Sequence, residues 1–298
     1  MEPSNIITEL SDVEKQWWDE TIKQFRSEFI REPKHYSDTT LRQKGVTLEQ
    51  LQENTDQMIE ELREETWQLY LLDEAVFHQE VLAYLVRERD LPKNILNAII
   101  DEKVLTEDYK DIGKEEFTLR IAGVIGEYTG KVMPYIYALS LSTTQSRRSR
   151  SGQTFEAIVE SFMDVFGYSY DNQSSVGTDS FSESGLGKKV DLIVPGMEEY
   201  SRNRSKSAVV TVKTTLRERW QEVAEELQRT NVPHIYLLTA DTGVSVPTID
   251  TMSRYNITLV VYSTEKEGKF ANKENVMDFQ TFYNQEMPHI ISYWNSRR

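Results

Sequence analysis

The sequence predicts an α/β protein in which a mixed sheet flanked by helices follows a helical N-terminal subdomain. Apolar residues recur at helical spacing over roughly the first 140 residues. From Phe155 onward, short runs rich in β-branched residues alternate with helical segments, a pattern typical of a mixed sheet covered by helices. We therefore assign residues 1–140 to the helical subdomain and residues 141–298 to the α/β domain.

The N-terminal half carries the signals of amphipathic helices. Leu51, Met58 and Leu62 lie at steps of seven and four, which places them on one helical face. Residues 47–50, with the sequence TLEQ, match a capping box that begins a helix. A polar stretch rich in Ser and Arg at residues 142–152 then predicts a separator before the α/β domain.

The C-terminal half is predicted to contain helix, strand, strand, helix, strand, strand in that order. An apolar stripe that starts at Phe155 predicts a helix that ends at Gly167, and a second helix is predicted from Arg217 to Arg229. The strand candidates are residues 190–194, 208–212, 234–239 and 257–262.

Composition excludes several kinds of site. The sequence has no cysteine and only four histidines, so disulfides, thiolate nucleophiles and cysteine zinc sites are excluded and a bound metal is expected on oxygen ligands. No apolar run is long enough to span a membrane, and the N-terminus lacks the basic-then-apolar pattern of a signal peptide. We therefore expect a cytoplasmic protein with no membrane partner.

The formal net charge of −15 argues against nucleic acid until its distribution is considered. Residues 146–230 hold 12 Lys and Arg against 13 Asp and Glu, so this segment contributes −1 and the rest of the chain −14. The acidic surplus lies outside the segment that contains the candidate site.

Four charged residues in this segment suit metal-assisted hydrolysis of a phosphodiester. Asp191 lies near the start of one strand candidate and Lys213 just beyond the next, so adjacent strands would bring them together. A carboxylate can hold a hard cation while an ammonium orients the attacking water. Glu156 on the preceding helix and Glu226 on the following one would complete an oxygen-only magnesium site. Taken singly, each residue is more often a cap or a solvated charge.

Three ordered blocks, at residues 148–156, 187–191 and 212–220 with Glu226 downstream, resemble the CCGG/CCNGG group of type II restriction endonucleases. The blocks cover about 80 residues, and Lys-Thr-Thr-x-x-x-Arg-Trp is the most specific. The resemblance implies a PD-(D/E)XK restriction-endonuclease-like core, and it stops at the N-terminal half, where no motif matches.

The resemblance also implies a role for each matched residue of the active site. Asp191 corresponds to the metal-binding aspartate and Lys213 to the catalytic lysine. Thr211 stands where most enzymes of the superfamily carry a second acid, and Glu226 fits the acid that replaces it. Glu156 matches an additional upstream acid. The implied cofactor is Mg²⁺, bound by Asp191, Glu226 and Glu156.

Arg217, Glu218 and Arg219 match the base-reading cluster of the group. Arginine can donate two hydrogen bonds to guanine while glutamate accepts one from cytosine, so the run suits neighbouring G and C. The alternative is a solvated helix start with a local ion pair. Arg147, Arg148 and Arg150 are assigned to the DNA backbone, although an Ser- and Arg-rich loop is commonly only solvated.

The resemblance implies a Mg²⁺-dependent type II site-specific deoxyribonuclease. It would hydrolyse double-stranded DNA at a short palindrome containing CCGG or CC-N-GG, leaving 5′-phosphates and a 5′ overhang. Because one base-reading cluster serves each half-site, we expect a homodimer, with a tetramer left open, and a cognate DNA methyltransferase as functional partner. The alternatives are a repair or junction nuclease of the same fold and a non-catalytic DNA-binding module.

Overall fold

The computed structural model describes residues 6–186, 190–217, 219–230 and 232–297, with the side chains of 226–228 and 230 outside the description. The helices are α1 (Asp12–Phe29), α2 (Pro33–Lys44), α3 (Leu48–Glu53), α4 (Thr55–Glu88), α5 (Asp90–Lys103), α6 (Lys114–Lys131), α7 (Met133–Phe166), α8 (Gln173–Val176), α9 (Thr178–Glu183), α10 (Met197–Arg202), α11 (Arg219–Thr230), α12 (Val246–Ser253), α13 (Ser263–Glu267), α14 (Phe279–Thr281) and α15 (Met287–Asn295). The strands are β1 (Asp171–Asn172), β2 (Leu192–Val194), β3 (Ala208–Lys213), β4 (Ile235–Thr239), β5 (Ile257–Val261) and β6 (Val276–Asp278).

The described residues form two compact units. The first lies within Met1–Arg31 and Leu69–Ser149, and the second within Glu32–Gln68 and Arg150–Arg298. Residues 32–68 fold in the second unit, whereas the sequence pattern assigned them to the helical N-terminal subdomain. The physical reason is burial, because Leu51, Ile59 and Leu62 are fully buried in the same apolar cluster as residues of the sheet.

The first unit is helical and is held by buried aromatic and ionic contacts. The Trp18 indole is fully buried, and its N–H donates to the Tyr135 carbonyl at 2.9 Å. The Glu74 carboxylate, in a residue 3% exposed, pairs with the Arg147 guanidinium. None of the described helices is long and apolar enough to cross a membrane.

The polar stretch at residues 142–152 is helical and lies inside α7, so a loop there is wrong, but the boundary between the two units, between Ser149 and Arg150, does fall within it. Arginine is a good helix former, and hydroxyl side chains are tolerated where they bond the preceding turn. Thr144 Oγ1 donates in this way to the Ser140 carbonyl at 2.9 Å. The polarity of the stretch therefore reflects an exposed helical face and not a break in the chain.

The second unit is built on a sheet of six described strands in the order β1-β2-β3-β4-β5-β6. Strands β1, β2 and β3 pair antiparallel, and β3 through β6 pair parallel. Successive side chains of β3 enter opposite apolar clusters: Val210 packs with residues of α7 and α15, and Val209 with residues of α11 and α12. The predicted mixed sheet flanked by helices is confirmed.

Candidate active site

Asp191 and Lys213 meet at the antiparallel pair of strands β2 and β3. The Asp191 amide donates to the Val210 carbonyl, which extends the ladder by one residue and brings the aspartate to β3. Lys213 Nζ lies 3.0 Å from Asp191 Oδ2. The same oxygen accepts from the Val212 amide at 2.7 Å and from Thr211 Oγ1 at 3.1 Å. Three donors thus fix the orientation of the carboxylate.

The lysine is held as firmly as the aspartate. Lys213 is 8% exposed, and its ammonium also donates to the Val212 carbonyl at 2.8 Å. A charged amine at this depth is stable only with such partners. The pair is therefore a fixed, preorganised element.

Glu156 joins Asp191 in a single cavity of about 230 Å³ beside the sheet. Burial, followed by the negative charge of Asp191, raises the pKa of Glu156 to about 7, against a smaller opposing effect of Lys213. Two carboxylates that disfavour each other's charge are a donor set suited to a hard divalent cation. The cavity is lined by Glu156, Glu160, Asn172, Gln173, Ser174, Asp191, Leu192 and Val212.

Glu160 and Asn172 are cavity residues that the sequence reasoning missed. Asn172 Nδ2 donates to Glu160 Oε1 at 2.8 Å, and burial raises the pKa of Glu160. Asn172 lies in β1 opposite Leu192, next in sequence to Asp191. A signal was available, because Glu160 follows Glu156 by four residues and therefore shares its face of α7.

Two predicted site residues are not tested by these contacts. Glu226 lies in α11, but its side chain is outside the described part of the chain, and Glu218 is outside it altogether. Over the side chains that are described, no group of three or more His, Asp and Glu residues is arranged to hold a metal ion. The metal set of Asp191, Glu156 and Glu226 stays a prediction.

Two exposed arginines, Arg217 and Arg219, lie at the start of α11, a few residues after Lys213. Arg217 has a positive φ of 38°, and the residues on either side of it are joined by the Arg219 amide donating to the Leu216 carbonyl at 2.6 Å. Both arginine side chains are exposed. The charge of Arg219 reaches the cavity, where it slightly lowers the pKa of Glu156.

The three arginines assigned to the DNA backbone lie on α7. Arg147 Nε donates to Glu74 Oε2 at 2.9 Å, so its guanidinium is engaged within the first unit. Arg148 is exposed, and Arg150 begins the α7 segment that belongs to the second unit. Their contact with DNA stays a prediction.

A carboxylate and a lysine on adjacent strands of a mixed sheet, with an acid on the preceding helix, are the arrangement expected of the PD-(D/E)XK class. The sequence profile of the EcoRII C-terminal family matches residues 114–283, and the chain belongs to that family.

Relatives in sequence and structure agree with this assignment. The chain is 35% identical over 209 residues to the type II restriction enzyme SsoII of Shigella sonnei, an alignment that covers 70% of this chain and 65% of that enzyme. It resembles metal-depleted Ecl18kI in complex with uncleaved, modified DNA, with 28% identity and a TM-score of 0.72 over 96% of this chain and 86% of that one. The PspGI–substrate DNA complex, at 15% identity and a TM-score of 0.55 over 90% and 94% of the two chains, shares the fold.

Proposed function

We propose that this chain is a divalent-metal-dependent type II restriction endonuclease that cuts double-stranded DNA at a palindrome with CC and GG halves around a central base. The observation that carries the proposal is the Asp191–Lys213 pair, 3.0 Å apart on adjacent strands beside an acidic cavity. Its relatives support binding and cleavage of DNA, since SsoII is a type II restriction enzyme and the Ecl18kI structure is a DNA complex. The CC and GG halves rest on the resemblance carried by residues 148–226.

The cavity suits Mg²⁺ because all of its candidate ligands are carboxylate oxygens. Asp191, Glu156 and Glu226 would hold the ion. Asp191 Oδ2 is occupied by three hydrogen bonds, so Oδ1 is the atom available to the metal. When bound, the ion supplies positive charge at the scissile phosphate and lowers the pKa of the attacking water.

Lys213 would orient the attacking water and stabilise charge that develops on the phosphate. Its ammonium is held between Asp191 Oδ2 and the Val212 carbonyl, and so two of its three protons are directed toward the protein. The third can donate to water or to a phosphate oxygen. Because these partners fix the ammonium, little reorganisation is needed during the reaction.

Base recognition falls to Arg217, Glu218 and Arg219, which are joined to the catalytic strand by a short segment. Two copies of the cluster would read the two half-sites, so the working form is a homodimer or a tetramer made of such dimers. Arg148 and Arg150 would bind phosphates, and Arg147 would do so only with the part of its guanidinium that Glu74 leaves accessible. A cognate methyltransferase would protect host DNA, and both enzymes would act in the cytoplasm.

The proposal is tested by digesting a plasmid that carries many CCNGG and CCGG sites with the wild-type chain and with Asp191→Ala and Lys213→Ala. We expect discrete fragments with 5′-phosphates only from the wild type in Mg²⁺, and none in EDTA. The matched control is Asp250→Ala, which removes an exposed aspartate paired with Lys273 and should cut normally.

The other outcomes separate the alternatives. Degradation without discrete fragments would favour a repair or junction nuclease. If the chain binds the same sites specifically but does not cut them in Mg²⁺, the result would favour a non-catalytic DNA-binding module over an enzyme.

A further inference from the structure

The segment between the catalytic lysine and the base-reading arginines is short and conformationally strained. Lys213 ends β3, and Arg217 follows only four residues later with a φ of 38°. This left-handed conformation is unfavourable for a residue with a side chain and persists only where surrounding contacts impose it. Some contact must therefore hold Arg217 in place.

Asp241, beyond the end of the neighbouring strand, holds the residue that precedes Arg217. The parallel register pairs Lys213 with Thr239, which puts Asp241, two residues past the end of β4, beside the segment. Asp241 Oδ2 accepts from the Leu216 amide at 2.7 Å, directly before Arg217.

The carboxylate itself is immobilised. Asp241 Oδ1 accepts from the Gly243 amide at 2.8 Å, and the Asp241 amide donates to Thr239 Oγ1 at 3.1 Å, with Thr239 only 1% exposed. The Leu216 side chain is 1% exposed in the apolar cluster that also contains Val223. The residue before Arg217 is thus fixed through both its side chain and its amide.

We propose that Asp241 is a positioning residue for base recognition, which acts by holding Arg217 in the left-handed conformation from which its guanidinium reads DNA. The inference rests on the proposed function. It ties specificity to the end of β4, because the strand that pairs with the catalytic lysine also sets the geometry of the base-reading arginine. A charged acceptor suits this task, since hydrogen bonds to carboxylates are stronger than those to neutral groups.

The test is a double-mutant cycle with Asp241→Ala, Arg217→Ala and the double variant. The quantity measured is the ratio of kcat/KM for a duplex with the cognate site to that for a duplex with one altered base pair in CC or GG. We expect Asp241→Ala to lower this ratio about tenfold, the effect of roughly one charged hydrogen bond. In the Arg217→Ala background it should change the ratio little, because residues that act through one another are not additive.

The matched control is Asp278→Ala. Asp278 also ends a strand of the sheet and accepts a backbone amide, that of Thr281, but lies on β6. Its loss should leave the ratio unchanged. Asp241→Asn, which retains one acceptor oxygen, should give a smaller loss and guards against an alanine variant that does not fold.

Three results would overturn the inference. If the wild type discriminates between the two duplexes and Asp241→Ala leaves the ratio of kcat/KM values unchanged, the inference is wrong but the proposed function stands. Equal losses from Asp241→Ala with and without Arg217 would show a general structural role. A wild-type chain with no discrimination would defeat the proposed function, and the inference with it.

Discussion

At the scale of single residues, the carboxylate of Asp191 is oriented by three hydrogen-bond donors of strand β3. The Val212 amide, the Thr211 hydroxyl and the Lys213 ammonium all donate to one of its oxygens. Thr211 occupies the position where most enzymes of the superfamily carry an acid, and here its hydroxyl supports the aspartate as a hydrogen-bond donor. Such support fixes the angle at which a ligand presents itself to a metal.

Glu160 offers a test of how far the cavity's negative charge extends. It lines the same cavity as Asp191 and is hydrogen-bonded by Asn172. Glu160→Gln retains the shape and an acceptor for Asn172 but removes one charge. We expect about tenfold weaker binding of Mn²⁺, from Coulomb attraction of 1–2 kcal/mol across a partly screened cavity.

The binding is measured by electron paramagnetic resonance of Mn²⁺ with the complex of protein and a DNA duplex whose scissile phosphate is replaced by a non-hydrolysable analogue. Glu198→Gln, on an exposed face of α10, is the control and should bind Mn²⁺ as the wild type does. If Glu160→Gln binds Mn²⁺ with unchanged affinity, the negative charge of Glu160 does not contribute to metal binding, and only Asp191 and its nearest neighbours do.

The sequence was sufficient to predict that Asp191 and Lys213 lie together, but not how the two side chains are supported. Asp191 and Lys213 stand at strand ends that β-branched runs mark clearly, and Glu156 stands on a helix with a clear apolar stripe. Asn172 and Asp241 have no such signal. Their contacts arise from strand pairing between segments far apart in the chain, and no local pattern encodes that pairing.

At the scale of elements, long helices were harder to predict than strands. Strands β2 to β5 match the four candidates to within a residue or two, whereas β1 and β6 have only two and three residues and no alternation to detect. The stretch at residues 142–152 was misassigned because polarity alone cannot separate a loop from an exposed helical face. Residues 32–68 pack with the sheet although their pattern grouped them with the N-terminal helices, because helical periodicity does not indicate which partner a helix packs against.

The ion pair between Arg147 and Glu74 should stabilise the first unit strongly. Burial alone would raise the pKa of Glu74, but hydrogen bonds from Arg147 and Tyr70 outweigh it and lower the pKa. Arg147→Ala leaves a buried carboxylate without its cation. We expect the free energy of unfolding at pH 8 to fall by about 2 kcal/mol, less than the 3–5 kcal/mol of a fully buried pair because the guanidinium is half exposed.

In Arg147→Ala, the contribution of Glu74 to stability should depend on pH with the opposite sign. In the wild type the pKa of Glu74 is lower in the folded state, so its contribution is present above the unfolded pKa and is lost as pH falls through the folded pKa. Without Arg147, burial raises the folded pKa, and Glu74 then lowers stability as pH rises. Urea unfolding of both proteins from pH 4 to pH 8 measures this, with Arg148→Ala as control; parallel curves would contradict the expectation.

At the scale of the whole molecule, a chain of net charge −15 is proposed to bind a polyanion. The segment at residues 146–230 carries 12 basic and 13 acidic residues, so the DNA would meet a nearly neutral region of an acidic protein. Repulsion by the remaining acidic surface disfavours nonspecific binding to phosphates, which depends on local positive charge. Specific contacts to bases then account for a larger share of the affinity.

If two copies of the chain read one palindrome, the two active sites of a dimer should divide the cleavage of the two strands. Each subunit carries one Asp191–Lys213 pair, so each would cut one strand. Mixed dimers are prepared from wild-type and Asp191→Ala subunits that carry different tags, and are purified through both tags. They should nick a single-site supercoiled plasmid to the open circle. They should make linear DNA at least about tenfold more slowly than wild-type dimers, because one catalytic carboxylate is missing from each dimer. Gel electrophoresis of the plasmid follows both steps, and tagged wild-type dimers purified in the same way are the control. Linear DNA formed at the control rate would mean that one active site cuts both strands, and the one-site, one-strand division would be wrong.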